Sequence, residues 1–191
     1  AFALDNLVPL TTRPDQIKAL RQTILSLAVR GKLAPQDPAD EPASELLKRI
    51  QKWRLEAISH KRIRAPRKSL APVQHEQTPY QQPNGWAWAR LGQIIYVQSG
   101  DGLTAANMKD GEIPVFGGNG INGYHDQSNV DQQTIVIGRV GYYCGSVHVT
   151  PTKAWVTDNA FITHFSPDEI ILRFLVLLLN GTNLKEDENA T

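Results

Sequence analysis

A chain of 191 residues with a formal net charge of +1 can build a real hydrophobic core in one domain or two small ones. Its one cysteine, Cys144, excludes an internal disulfide and fits a reducing compartment. The longest apolar run, Phe174 to Leu179, is far below the roughly 18 residues of a membrane span; with no basic-then-apolar leader, a soluble cytoplasmic protein is expected.

After an apolar lead (1–10), Thr12 and Asp15 make a capping-box-like helix start, with Pro14 tolerated in the first turn. Ile17, Leu20, Ile24 and Leu27 then form an apolar stripe, and Gly31 ends the helix. Gln36 to Pro42 (QDPADEP) reads as a turn, and Asp40 is placed to cap a second helix in which Leu46, Leu47, Ile50, Trp53 and Ala57 face one way. The expectation is an antiparallel helical hairpin over 1–64, a subunit-docking region whose leftover apolar area calls for another helical surface. The second helix turns basic at its end, with nine Lys/Arg between Lys48 and Lys68. A solvated face and a phosphate contact both account for such a run.

Residues 65–84 carry Pro66, Pro72, Pro79 and Pro83 among glutamines, without apolar periodicity, and read as a proline-rich linker. A β-rich domain is expected over 85–191. It opens with Trp86 and Trp88 alternating on a strand, followed by a strand over 94–97 and a turn at Ser99 to Leu103. Further strands are expected at Ile113 to Phe116, Thr134 to Ile137, Ser146 to Val149 and Ala154 to Val156, separated by Gly, Asn and Asp clusters. Ser166-Pro167-Asp168-Glu169 is a strong helix start, and the helix from Asp168 to Asn180 is apolar enough to be buried against the sheet. The tail from Thr182 is polar and acidic.

Sites for chemistry are not apparent. Phe116-Gly117-Gly118-Asn119-Gly120 fits a loose methyl-donor pattern, but no helical stripe follows it. Pro167-Asp168 lacks the strand-borne carboxylate and lysine of a metal-dependent nuclease, and Gly31-Lys32 lacks the earlier glycine of a phosphate loop, Ser26 standing there. His125, Cys144 and His148 lack metal-ligand spacing, although a fold could bring them together. The stretch from Ile113 to Thr163 instead gathers hydrogen-bonding and stacking side chains on glycine-punctuated loops, which suits recognition. Arg139, Asn119, Asn122, Tyr124 and Tyr142 are the candidates for base or groove contacts, and Lys109 and Lys153 for phosphates. Each has a plainer reading: Arg139 pinning a turn, Asn119 and Asn122 as left-handed turn formers, Lys153 merely solvated, and only one of Tyr142 and Tyr143 exposed.

Leu20-Arg21-Gln22-Thr23-Ile24-Leu25, the run from Ala28 to Leu33, Pro35-Gln36-Asp37-Pro38 and the run from Glu41 to Leu47 resemble the N-terminal region of type I restriction–modification specificity subunits. Pro83-Asn84-Gly85-Trp86 with Arg90-Leu91-Gly92 resembles the opening of a target recognition domain in that family. IPVFGGNGINGYHD, IGRVGYYCGSVHV and WVTDNAFI are similar to its body. The resemblance implies a non-catalytic DNA-specificity subunit that docks methyltransferase (modification) subunits and restriction subunits. S-adenosylmethionine, ATP and Mg would sit on those partners and no cofactor on this chain. Only one recognition domain is present. A fragment, a truncated product and a half-subunit that forms a homodimer all fit.

The combined expectation is an α+β protein: an N-terminal helical hairpin, then a β-rich target recognition domain with a buried C-terminal helix. Its expected function is sequence-specific double-stranded DNA recognition, directing partner subunits to a bipartite site for DNA methylation or cleavage. The alternatives are a truncated scaffold that binds modification subunits but no DNA, a carbohydrate binder using Trp86, Trp88 and Trp155, and a stand-alone methyltransferase.

Overall fold

A computed structural model describes residues 13–66, 70–181 and 184. The chain divides into two compact units: residues 1–46 with 72–89, and residues 47–71 with 90–191.

In the first unit, helix α1 (Pro14–Val29) has Pro14 at its first turn. The expected cap, Thr12, lies outside the described residues. Arg13 takes the cap position, and the Gln16 side chain accepts its backbone N–H at 3.1 Å. The helix ends where expected. Gly31 adopts φ +65°, its N–H bonds Ala28 O at 3.0 Å, and Lys32 N–H reaches back to Leu27 O at 2.8 Å. That pair of bonds is the Schellman termination that favours glycine. A Cβ on Gly31 would also meet Pro83 Cγ at 2.3 Å, so any larger residue is excluded twice over. The stripe on α1 stays open: none of its residues is buried, and Ile17, Ile24 and Leu27 are exposed.

The QDPADEP turn forms as expected, with Asp37 Oδ1 accepting from Ala39 N and Asp37 O from Asp40 N. Helix α2 (Ala43–Ser59) begins too late for Asp40 to cap it; Ala43 N–H instead donates to Gly85 O at 2.7 Å. Trp86 and Trp88 do not lie on a strand. Trp86 Nε1 donates to Gln36 Oε1 at 2.7 Å, and Trp88 meets Tyr80 edge-on at 4.9 Å. These side-chain partners hold the segment in place of a ladder.

In the second unit α2 buries Ile50 and Ala57, two members of its expected stripe. Part of its basic run is internal: Arg49 Nε pairs with Glu169 at 2.8 Å, and Arg54 Nη1 donates to Gly92 O at 2.6 Å. Arg67 and Lys68 lie outside the described residues. Residues 91–94 form the short helix α3 (Leu91–Ile94) instead of opening a strand, and β1 (Tyr96–Ser99) follows.

Among the described residues seven strands build two sheets: β1, β2 (Ile113–Gly117), β3 (Gly120–His125), β4 (Ile135–Gly138), β5 (Val147–Val149), β6 (Trp155–Val156) and β7 (Ala160–His164). The first sheet runs β1-β7-β4-β5, antiparallel throughout; the second runs β3-β2-β6, with β6 parallel to β2. Alternation along β4 shows how the layers stack. Val136 points into a core shared with Phe116 and Val156 of the second sheet. Ile135 points the other way, into a core with Leu175 and Leu179 of helix α4 (Leu172–Gly181). Between the strands, Thr134 N–H donates to Thr150 Oγ1 at 3.0 Å and Thr134 Oγ1 donates to Thr163 O.

The last helix departs from expectation. Ser166 starts only a turn, accepting from Glu169 N and Ile170 N, and the helix begins at Leu172. It is buried against the sheet as expected, but on one face only. Leu175 and Leu179 are covered, whereas Ile171, Phe174 and Leu177 are exposed, because a helix lying on one sheet can bury only one of its faces. Residues 182–183 and 185–191, most of the acidic tail, lie outside the described residues. Among the described residues no helix is long and apolar enough to cross a membrane.

Candidate nucleic-acid interface

The expected contact residues fall at opposite ends of the three-stranded sheet. At one end is the β2–β3 turn with exposed Asn119, its left-handed position taken by Gly120 (φ +92°). Neither Asn119 nor Asn122 has positive φ, so the reading of both as left-handed turn formers is corrected. Asn122 is the unpaired residue of a β-bulge: Val115 pairs with Gly123 and Phe116 with Ile121, skipping it. The bulge turns Ile121 and Asn122 outward together, against simple strand alternation.

The β2–β3 turn is pressed onto the loop after β4. A Cβ on Gly118 would lie 3.5 Å from Val140 O and 3.9 Å from Gly138 Cα, and Ser146 Oγ donates to Gly118 O. That loop carries Arg139, Tyr142 and Tyr143. It is held by Cys144 N–H to Gly141 O, Gly145 N–H to Gly138 O, and Cys144 Sγ to Arg139 O. Because it turns instead of running extended, both tyrosines are exposed, Tyr142 at 82%, and their rings meet edge-on at 5.2 Å. The expectation that only one of Tyr142 and Tyr143 is exposed is corrected, and Val140 and Ile121, also exposed, were not among the expected contacts.

Arg139 is both a pin and an open donor. Its Nη1 donates to Ser99 Oγ at 3.2 Å and Asp158 O at 3.1 Å, and its guanidinium lies 5.7 Å from the Phe161 ring centre. Nε and Nη2 have no partner among the described residues. Held in this way, they form the planar pair of donors that suits a guanine edge or a phosphate.

At the other end of the sheet lie exposed Lys109, Tyr124 and Lys153. Lys109 N–H donates to His125 Nδ1 at 3.1 Å, Tyr124 pairs across from Pro114, and Lys153 precedes Trp155, which lies beside Val115. Asn119 and Tyr124 are five residue steps apart along β3, roughly 17 Å of strand.

His148 and His164 have Nε2 buried without a hydrogen-bond partner among the described residues. Burial lowers the pKa of both below the ordinary 6.5. The unfolded chain therefore takes up protons first as pH falls. Stability should be fully present above about 6.5 and should decline through acid pH. Thermal unfolding between pH 7.5 and 5 should show this, and His164→Phe should flatten the decline.

Among the described residues no three His, Cys, Asp or Glu could hold a metal ion. Trp155 abuts His125 edge-on at 5.3 Å and donates to Asp101 O, and Trp88 packs on Tyr80, so neither ring forms an open sugar platform.

No family model matches the chain. It is 48% identical over 91 residues to the type I restriction enzyme EcoAI specificity subunit of Escherichia coli, covering 48% of this chain and 15% of that protein. To the EcoEI specificity subunit of the same organism it is 32% identical over 198 aligned positions, covering 90% of this chain and 33% of the relative. The EcoprrI specificity subunit is 30% identical over 101 residues, covering 50% and 25%. A solved type I restriction–modification S subunit from M. genitalium superposes with a TM-score of 0.47 at 17% identity, covering 91% of this chain and 41% of that one. The chain is thus related to type I restriction-enzyme specificity subunits over nine-tenths of its own length, while spanning about a third or less of the length of these curated relatives.

Proposed function

We propose that this chain is a target-recognition portion of a type I specificity subunit. It binds double-stranded DNA by sequence and carries no catalysis of its own. The observation that carries the reading is the fused pair of loops presenting Asn119, Arg139 and Tyr142 outward, in a chain related to specificity subunits. Methyltransferase and restriction subunits supply the chemistry at a bipartite site, with S-adenosylmethionine, ATP and Mg bound by them. A homodimer would supply the second half-site if the chain works as a half-subunit.

Arg139→Ala should cost roughly 1–3 kcal/mol at one base pair, whereas Lys109→Ala or Lys153→Ala should weaken all sequences alike. Selection from a random duplex pool followed by gel-shift titration reads both effects. An Arg139→Ala chain with unaltered affinity and preference would remove Arg139 from the contact set.

The open stripe of α1 favours a second reading, a scaffold that binds modification subunits without DNA. Salt decides between them. DNA binding falls steeply with salt as phosphates release counterions, and a scaffold shows no such slope.

A further inference from the structure

The first unit holds a cavity of about 410 Å³ lined by Arg30, Gly31, Lys32, Tyr80, Gln81, Gln82 and Pro83. Its lining has two cations, two amides and a phenol, and no carboxylate. Among the described residues neither Arg30 nor Lys32 makes an ion pair. The Arg30 guanidinium is held 5.5 Å from the Tyr80 ring centre, and Tyr80 is itself fixed by donating from its hydroxyl to Val29 O at 2.8 Å.

A helix C-terminus ordinarily repels anions through its unpaired carbonyls. Here three of the last four are engaged, Leu27 O by Lys32 N–H, Ala28 O by Gly31 N–H and Val29 O by Tyr80, and Gly31 O just beyond them accepts from the Gln36 amide at 3.2 Å. The side chains lining the cavity are net cationic, and Gly31, at φ +65° with Pro83 Cγ 2.3 Å from its Cβ position, shapes it.

We propose that this cavity binds a phosphate group of the DNA backbone, a sequence-independent contact separate from the loops that read bases. The proposal rests on the DNA-binding reading above. Arg30 supplies planar paired donors and Lys32 a point charge, with Gln81 and Gln82 as neutral donors. The volume exceeds one phosphate and leaves room for the adjoining sugar.

The test uses the full chain and a random-sequence duplex, titrated at several salt concentrations. Each phosphate neutralised contributes about 0.9 to the slope of log affinity against log salt. Arg30→Gln/Lys32→Gln should lower that slope by roughly 0.9, the share of one phosphate, and weaken binding roughly eightfold at 0.1 M salt, with sequence preference unchanged. Both side chains are exposed, so the double variant should fold, which circular dichroism checks. A double variant with the wild-type slope overturns the proposal while leaving the base-reading loops untouched. Saturable binding of inorganic phosphate, lost in the variant whose duplex slope is unaltered, would make this a free-phosphate site and overturn the DNA assignment. If the wild type binds no duplex, the DNA reading of both sites falls together.

Discussion

Gly138→Ala should abolish sequence-selective DNA binding and cost about 1–3 kcal/mol of stability, the range for forcing extra volume into packed structure. A Cβ there would lie 2.4 Å from Tyr143 O and 2.6 Å from Gly118 O, both backbone atoms that cannot step aside alone. Gly138 also exchanges backbone hydrogen bonds with the far end of the loop, through Ser146 O and Gly145 N. The added methyl must separate the turn bearing Asn119 from the loop bearing Arg139 and Tyr142. Gly141→Ala is the control. Nothing lies within 4 Å of its Cβ position, so only its φ of +77° is strained and the two loops stay in contact. Denaturant unfolding paired with gel-shift titration separates the two variants. Wild-type binding by Gly138→Ala would show that the loops do not act as one surface.

Leu175→Ala should cost about 2–5 kcal/mol, the range for truncating a buried leucine, because Leu175 is 1% exposed in the core shared with Ile135 and Phe165. Its chain neighbour Phe174 is 58% exposed, and Phe174→Ala should change stability by less than about 0.5 kcal/mol, as exposed positions do. Urea midpoints at constant slope read both. Equal losses at the two positions would mean that the outer face of α4 is covered in solution, contrary to its exposure here.

Much of the fold was legible. Gly31 ends α1, the QDPADEP turn forms where its Asp and Pro residues stand, and the apolar runs near 113–117 and 135–138 are strands. Each depends on chemistry within a few residues: a missing Cβ, a side chain bonding its own turn, or alternation along one strand. The misreadings have a common cause. Trp86 and Trp88 look like strand residues, yet side chains outside any ladder engage their rings, Gln36 from 50 residues away and Tyr80 from the proline-rich stretch. The apolar helix expected over 168–180 looks buried, yet a single sheet covers only one of its sides.

The candidate site divides along the same line. The sequence by itself determined its composition: glycine-rich loops carrying Asn119, Arg139 and Tyr142, with the tell-tale runs of type I specificity subunits. Only the tertiary structure decided that these three gather at one end of a sheet while Lys109 and Lys153 lie at the other, that a bulge turns Asn122 outward, and that Arg139 is half pin and half open donor. The physical reason is that strand order, direction and register come from hydrogen bonds between distant segments. The parallel pairing of β6 with β2 and the packing of Gly118 against Gly138 are energies of contact, which no local pattern encodes.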